Sequence, residues 1–150
     1  MKKSVQFKFT ADSNYLIAYL QSWNQKHEAT VKDFAKRLAR GEQFYLVPHT
    51  LTEAYSVMTR MPDPYRVSPG AAFELLADNF RKFPVLEHPQ AAICWECLAE
   101  MQARSVSGGR SYDFWIARTA QAAGMHALVT WNAAHFMDLG SELAILTPTV

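Results

Sequence analysis

The sequence carries almost no net charge. Fifteen lysines and arginines stand against fourteen aspartates and glutamates, leaving +1 over 150 residues. No overall field would draw this chain to nucleic acid or to anionic lipid, so any polyanion has to be met by local basic clusters. Three such clusters exist, Lys36-Arg37 with Arg40, Arg81-Lys82, and Arg104 with Arg110. Clusters of this size ordinarily belong to solvated helix faces. Cysteine is scarce as well, with only Cys94 and Cys97 present. They share one face of a helical stretch. The pair lacks both the strand-to-helix context of a redox motif and the further ligands of a zinc site, and reads as reduced thiols in a core.

Long apolar runs are missing. Nothing approaches the length of a membrane span, and the residues after Met1-Lys2-Lys3 alternate instead of forming a signal-peptide core. A soluble, intracellular protein is expected. Repeats, low-complexity tracts and composition shifts are absent too. With 49% hydrophobic and 19% charged residues, the balance is that of a single globular domain over 1–150. A domain of this length buries roughly 70% of the surface its unfolded chain exposes and needs no staples.

What is present is an alternation of short extended runs with longer helical ones, the pattern of an α/β domain with a mainly parallel sheet. Val5-Gln6-Phe7-Lys8-Phe9 alternates as a strand, and Asp12 or Ser13 can cap a helix from Tyr15 to Trp23. A second helix is expected over 30–39, with Val31, Phe34, Ala35 and Leu38 on its apolar face and Gly41 after it. Phe44 to Val47 reads as a strand closed by Pro48. A helix starting at Thr50 or Thr52 follows, and Met61-Pro62-Asp63-Pro64 breaks it.

Pro69 opens a helix over 69–81 with a stripe of Phe73, Leu76, Ala77 and Phe80. Val85-Leu86 suggests a short strand, and Pro89 to Arg104 a helix. After the loop Ser107-Gly108-Gly109-Arg110, Ser111 is expected to cap a helix that ends at Gly124. Strands at Ala127–Thr130 and Ala144–Leu146 complete the chain.

The polar residues that bear chemistry follow the strands. Asp12 comes directly after the first strand, and Glu53 lies on the helix behind the second. Asp113 lies in the first turn of a helix, and Asn132 two residues beyond the strand that ends near Thr130. In an open parallel sheet, ligands bind at the strand C-termini, so these residues can converge on one pocket. Two carboxylates ~4 Å apart repel by about 4 kcal/mol at an effective dielectric of roughly 20. Either their pKa values rise or a divalent ion neutralises them. Hard oxygen donors from Asp, Glu and Asn suit Mg²⁺ or Mn²⁺, and such a site supports in-line displacement at a phosphoryl group. Plainer roles exist: Asp12 could simply cap a helix, and Asp113 could complement a helix dipole. Glu53 is the most informative acid, because Leu51, Ala54 and Tyr55 put it near a core-facing boundary.

The motifs resemble those of a known family. Ala11-Asp12-Ser13-Asn14-Tyr15-Leu16 is similar to the opening of PIN domains, where an acid after the first strand precedes a small polar pair. Leu51-Thr52-Glu53-Ala54-Tyr55 resembles the second acidic site, and Gly108-Gly109-Arg110-Ser111-Tyr112-Asp113 with Phe114 the third. Leu128-Val129-Thr130-Trp131-Asn132 resembles the segment after the fourth strand. The four come in the family's order, and VapC-type toxins are the nearest likeness.

That resemblance implies a three-layer α/β/α domain with a mainly parallel sheet. It also implies Mg²⁺- or Mn²⁺-dependent cleavage of RNA, a cognate antitoxin, frequent homodimers and a cytoplasmic setting. Asp12, Glu53 and Asp113 would be the metal ligands, with Asn132 and Thr130 assisting. Ser13, Asn14 and Arg110 would contact substrate or partner. Many family members carry a fourth acid where this chain has Asn132, which offers a carbonyl oxygen without charge.

His49, His126 and His135 read as structural, and Trp95, Trp115 and Trp131 as core or rim aromatics. A non-catalytic PIN module that binds RNA or a partner protein is the alternative. Phosphotransfer enzymes on a similar sheet fall behind. A haloacid-dehalogenase-type site would need Asp where Asn14 stands, and a receiver domain would need an acceptor Asp at the end of the third strand.

Overall fold

The computed structural model describes residues 6–87, 90–137, 139 and 142–148. Among these residues lie four short strands: β1 (Lys8–Ala11), β2 (Gln43–Phe44), β3 (Ala127–Val129) and β4 (Ala144–Leu146). Between them lie α1 (Ser13–Leu20), α2 (His27–Ala39), α3 (Pro48–Arg60), α4 (Pro69–Phe80), α5 (Gln90–Ala103) and α6 (Arg110–Ala122). The sheet order is β2-β1-β3-β4, and every strand pairing among the described residues is parallel. The chain thus steps from β1 to β2 on one side and later lays β3 and β4 on the other. The crevice past the C-terminal ends of β1 and β3 is where strand order reverses, the usual ligand position in such a sheet.

Successive strand residues face opposite sides. Phe9, Ala11, Phe44 and Val129 pack with Tyr15, Phe34, Met58 and Phe80 from α1 to α4. On the other face Leu128 packs with Cys97, Met101, Phe114 and Ile116 from α5 and α6. A parallel sheet needs cover on both faces. The three-layer arrangement supplies it.

Several boundaries differ from the sequence expectation. The first strand runs over Lys8–Ala11, because Thr10 and Ala11 pair with Leu128 and Val129; Val5, its expected start, lies outside the described residues. β2 begins at Gln43 and pairs with β1 through Gln43 and Phe44, so of the strand expected over Phe44 to Val47 only Phe44 belongs to it, and beyond it Leu46 forms an isolated bridge to Val85. Pro48 does not close a strand. It stands in the first turn of α3, where its fixed φ and missing N–H cost nothing, so the helix begins before Thr50. α1 ends at Leu20, short of Trp23, and α2 begins at His27, a turn before Thr30. Gly109, not Ser111, occupies the N-cap of α6. Pro89, the expected start of α5, lies outside the described residues.

One helix turns an unexpected face inward, and a second keeps its expected stripe inward except at one residue. Val31, Ala35 and Leu38 of α2 are exposed, while Thr30, Asp33, Phe34 and Arg37 are buried. The charged members are satisfied as a network: Tyr15 Oη and Arg37 Nε each donate to Asp33 Oδ2 at 2.8 Å, and Arg37 reaches Glu42 at 3.2 Å. That network sets the rotation of the helix. On α4, Phe73 is 57% exposed. It lines an apolar groove of about 300 Å³ with Leu51, Leu76 and Val85.

Candidate active site

Asp12 is the first residue past β1. Its extended backbone places it at the N-cap of α1, where Oδ1 accepts from the Tyr15 N–H at 3.2 Å. Oδ2 accepts from Thr130 Oγ1 at 2.6 Å. The Asp12 N–H donates to the Val129 carbonyl at 3.4 Å. The β1–β3 ladder therefore fixes the carboxylate. Asp12 is only 4% exposed. Burial pushes its pKa up to about 6; the Thr130 and Tyr15 hydrogen bonds hold it down, and the charges of Asp113 and Glu53 push it up further.

Glu53 enters from α3, half-buried. Ser13 Oγ donates to Glu53 Oε1 at 2.6 Å, and His49 Nε2, one turn earlier on α3, lies 3.3 Å from Oε2. The His49 imidazole in turn stacks on Tyr112 of α6, with ring centroids 5.0 Å apart and planes 12° from parallel. Ser13 thus ties α1 to α3, and His49 ties α3 to α6 across the two helical layers.

Asp113 comes from the first turn of α6. Burial raises its pKa, and Glu53 raises it further, against the opposing pull of His135, Arg110 and His49. His135 Nδ1 lies 3.8 Å from Asp113 Oδ2. Asp12 feels the charges of Asp113 and Glu53, and Asp113 feels that of Glu53. Among the described residues, no three His, Cys, Asp or Glu side chains are drawn tightly enough together to hold a metal ion. What the site offers is donor chemistry: carboxylate oxygens sharing an excess negative charge that a hard divalent cation relieves.

Thr130 is fully buried. Besides donating to Asp12, its Oγ1 accepts the Asn132 N–H at 2.9 Å. The Asn132 carbonyl accepts from the His135 N–H at 3.0 Å, opening a short 3-10 turn over Ala133–His135. It is therefore the main chain of Asn132 that is fastened to the site. Ser13 is buried against Glu53, whereas Asn14 is exposed. Arg110 opens α6, near enough to Asp113 to draw its pKa down.

The histidines divide. His126 keeps a structural role, accepting the Lys8 N–H at 2.9 Å and stacking on Phe7. His49 and His135, read from sequence as structural, sit against site carboxylates instead. The signal for His49 was its spacing of four from Glu53, which shares a helix face, and it becomes visible once Pro48 is seen to start the helix. Trp131 is a rim residue, its Nε1 donating to Thr30 Oγ1 at 2.9 Å with Lys26 Nζ 4.5 Å over its ring. Trp115 packs partly buried beneath the sheet, while Trp95 is 82% exposed on α5.

Residues 10–136 match the sequence profile of the PIN domain. The chain belongs to the PIN-domain family. Its PIN motifs, from Asp12 to Asn132, all fall inside the matched span. Ribonuclease VapC40 of Mycobacterium tuberculosis is 36% identical over 118 residues, covering 78% of this chain and 81% of that protein. Among solved PIN-fold structures, the DNA-bound VapBC from Salmonella typhimurium aligns with a TM-score of 0.71 at 18% identity, over 96% of this chain and 100% of that one. VapC20 of Mycobacterium tuberculosis, described as a sarcin–ricin loop cleaving toxin, aligns with a TM-score of 0.60 at 16% identity, over 90% and 98% of the two chains. At these identities the structural likeness bears on the fold alone. No helix among the described residues is long and apolar enough to cross a membrane.

Proposed function

We propose that this chain is a metal-dependent endoribonuclease of the VapC type and the toxin of a toxin–antitoxin pair, acting as a single PIN domain. The observation that supports the reading is that Asp12, bonded to Thr130 at the sheet's switch point, lies within electrostatic reach of Glu53 and Asp113. Kinship with ribonuclease VapC40 supplies RNA as the substrate class. In this reading Asp12, Glu53 and Asp113 hold Mg²⁺ or Mn²⁺, which their oxygen-only donor set fits. When bound, the cation supplies electrostatic stabilisation of charge developing on a phosphoryl group.

The chain's own residues prepare that pocket. Thr130 orients Asp12, and Ser13 orients Glu53. His135 and Arg110 offset negative charge around Asp113. Asn132 contributes a neutral carbonyl oxygen, and Arg110 with Asn14 meets an RNA phosphate or an antitoxin carboxylate.

The antitoxin part of the reading is supported by likeness to VapBC complexes. The apolar groove beside Phe73 offers such a partner a surface. A homodimer follows the usual prevalence of two-fold assemblies. A cytoplasmic setting agrees with two unpaired cysteines.

The test is RNA cleavage with Mg²⁺ or Mn²⁺ by wild type, Asp12→Asn and Asp113→Asn. Wild type should cleave only with the metal, and both variants should fold yet be inactive. Cleavage surviving in either variant would overturn the role given to that acid. Wild type inert toward RNA would favour a binding module.

A further inference from the structure

We propose that Tyr112 is a base-stacking platform that holds one nucleobase of a single-stranded RNA beside the acidic pocket. The proposal rests on the ribonuclease reading above and assigns it a substrate-positioning residue. Tyr112 directly precedes Asp113 on α6 and is 55% exposed. Its ring is nevertheless held. One face lies on the His49 imidazole at 5.0 Å and 12°, and His49 is itself held 3.3 Å from Glu53. A chain of contacts therefore runs from a site carboxylate to a surface aromatic and fixes the plane of that ring. One face lies on His49 while more than half of the residue's surface stays open to solvent, so a base can extend the stack that imidazole and phenol begin.

The charge balance gives such a platform a purpose. Three carboxylates at the pocket repel a polyanion, and a net charge of +1 supplies no compensating field. Bound metal and Arg110 meet the phosphate locally, and contacts that do not depend on charge add the rest of the affinity for RNA. Base–aromatic stacking is the main one, and it tolerates sequence because every base presents a π-face. The neighbouring rim aromatic is less suited, since the Trp131 ring already carries Lys26 at 4.5 Å and its Nε1 is bound to Thr30. Pre-stacking also lowers the ordering cost of binding, because the ring does not have to be immobilised by the ligand.

The experiment compares wild type, Tyr112→Ala and Tyr112→Phe as full-length proteins. Each is assayed with Mg²⁺ or Mn²⁺ on a single-stranded RNA oligonucleotide and on a series in which each nucleotide in turn is abasic. Tyr112→Ala should raise KM about 5- to 150-fold, the range alanine substitution gives for a stacked base, with kcat nearly unchanged. Tyr112→Phe should behave as wild type. One abasic position should weaken wild type similarly and leave Tyr112→Ala unaffected.

An unchanged KM in Tyr112→Ala, or an abasic series that penalises both proteins alike at every position, overturns the platform and leaves the ribonuclease reading standing. An unchanged KM together with loss of self-association on size-exclusion chromatography overturns it in favour of a contact with a second copy. Wild type that cleaves no RNA overturns both the platform and the reading on which it rests.

Discussion

The Thr130 hydroxyl donates to the Asp12 carboxylate at 2.6 Å, though the two residues are 118 apart in sequence. Each lies one step beyond the last paired residues of β1 and β3, Ala11 and Val129. The bond is therefore a product of strand register, and it is one of two that steady a buried charge. Thr130→Val keeps the shape and removes the donor. Stability at pH 8 should fall by about 1–3 kcal/mol, the usual penalty for an unmet buried polar group, and Thr130→Ser should restore it. Urea unfolding of the three proteins measures this, and equal stability in the valine variant would remove Thr130 from the support of Asp12.

Acid should act on Asp12 in the direction opposite to a salt-bridged carboxylate. Its pKa is about 6 in the fold against 3.8 in a model peptide. Between those values the native state binds more protons than the unfolded chain, so this residue's contribution declines as pH rises from about 4 to about 6 and then levels. The change amounts to about 3 kcal/mol. Asp113, also raised, acts in the same sense. Asp12→Asn in EDTA should therefore gain on wild type across that window and be the more stable protein at pH 7.5. A difference that stays flat with pH would contradict the raised pKa.

Metal should reverse that penalty. Titrating stripped protein with Mn²⁺ or Mg²⁺ should raise its melting temperature saturably, by roughly 5–10 °C at one hundred times the dissociation constant. Because Asp12 must give up its proton to bind, apparent affinity should climb with pH until about 6 and flatten above it. Asp12→Asn should show neither effect. A wild-type melting temperature indifferent to both ions would take the cation out of the proposed function.

The network under α2 should prove structural. Arg37 and Asp33 meet at 2.8 Å with side chains 7% and 2% exposed. Arg37→Met deprives a buried carboxylate of its guanidinium and should cost about 3–5 kcal/mol. Folded Arg37→Met protein should retain the wild-type specific activity on RNA. Denaturant melts and active-site-normalised rates separate the two effects, and a loss of rate in fully folded protein would mean the network also shapes the site.

What the sequence made legible was the part of the site tied to strand ends. Asp12 follows an alternating run, and Asp113 follows a Gly-Gly loop into an amphipathic helix; both patterns are local. The inward face of α2 was hidden because two sets of residues on it are periodic. Val31, Phe34, Ala35 and Leu38 form one set, and Thr30, Asp33, Phe34 and Arg37 the other. The choice is made by Tyr15 and Glu42, which belong to other segments. The extent of β1 was hidden in the same way, since nothing in Thr10-Ala11 says that β3 continues beside it. His49 stayed out of sight because Pro48 looked like the end of a strand, although a proline suits a helix start equally well.

The pairing of β1 with β3 also bears on when the proposed activity can begin. On the reading proposed above, the pocket closes only after the segment ending at Thr130 has paired beside a strand made more than a hundred residues earlier, the separation of Asp12 and Thr130 being 118. A nascent chain that has passed Glu53 but not yet reached β3 carries Asp12 and Glu53 without the strand that joins β1 to β4. Such a polypeptide is chemically silent while it leaves the ribosome. On that reading activity waits for β3, and a partner that holds β3 away from β1 would keep the molecule silent.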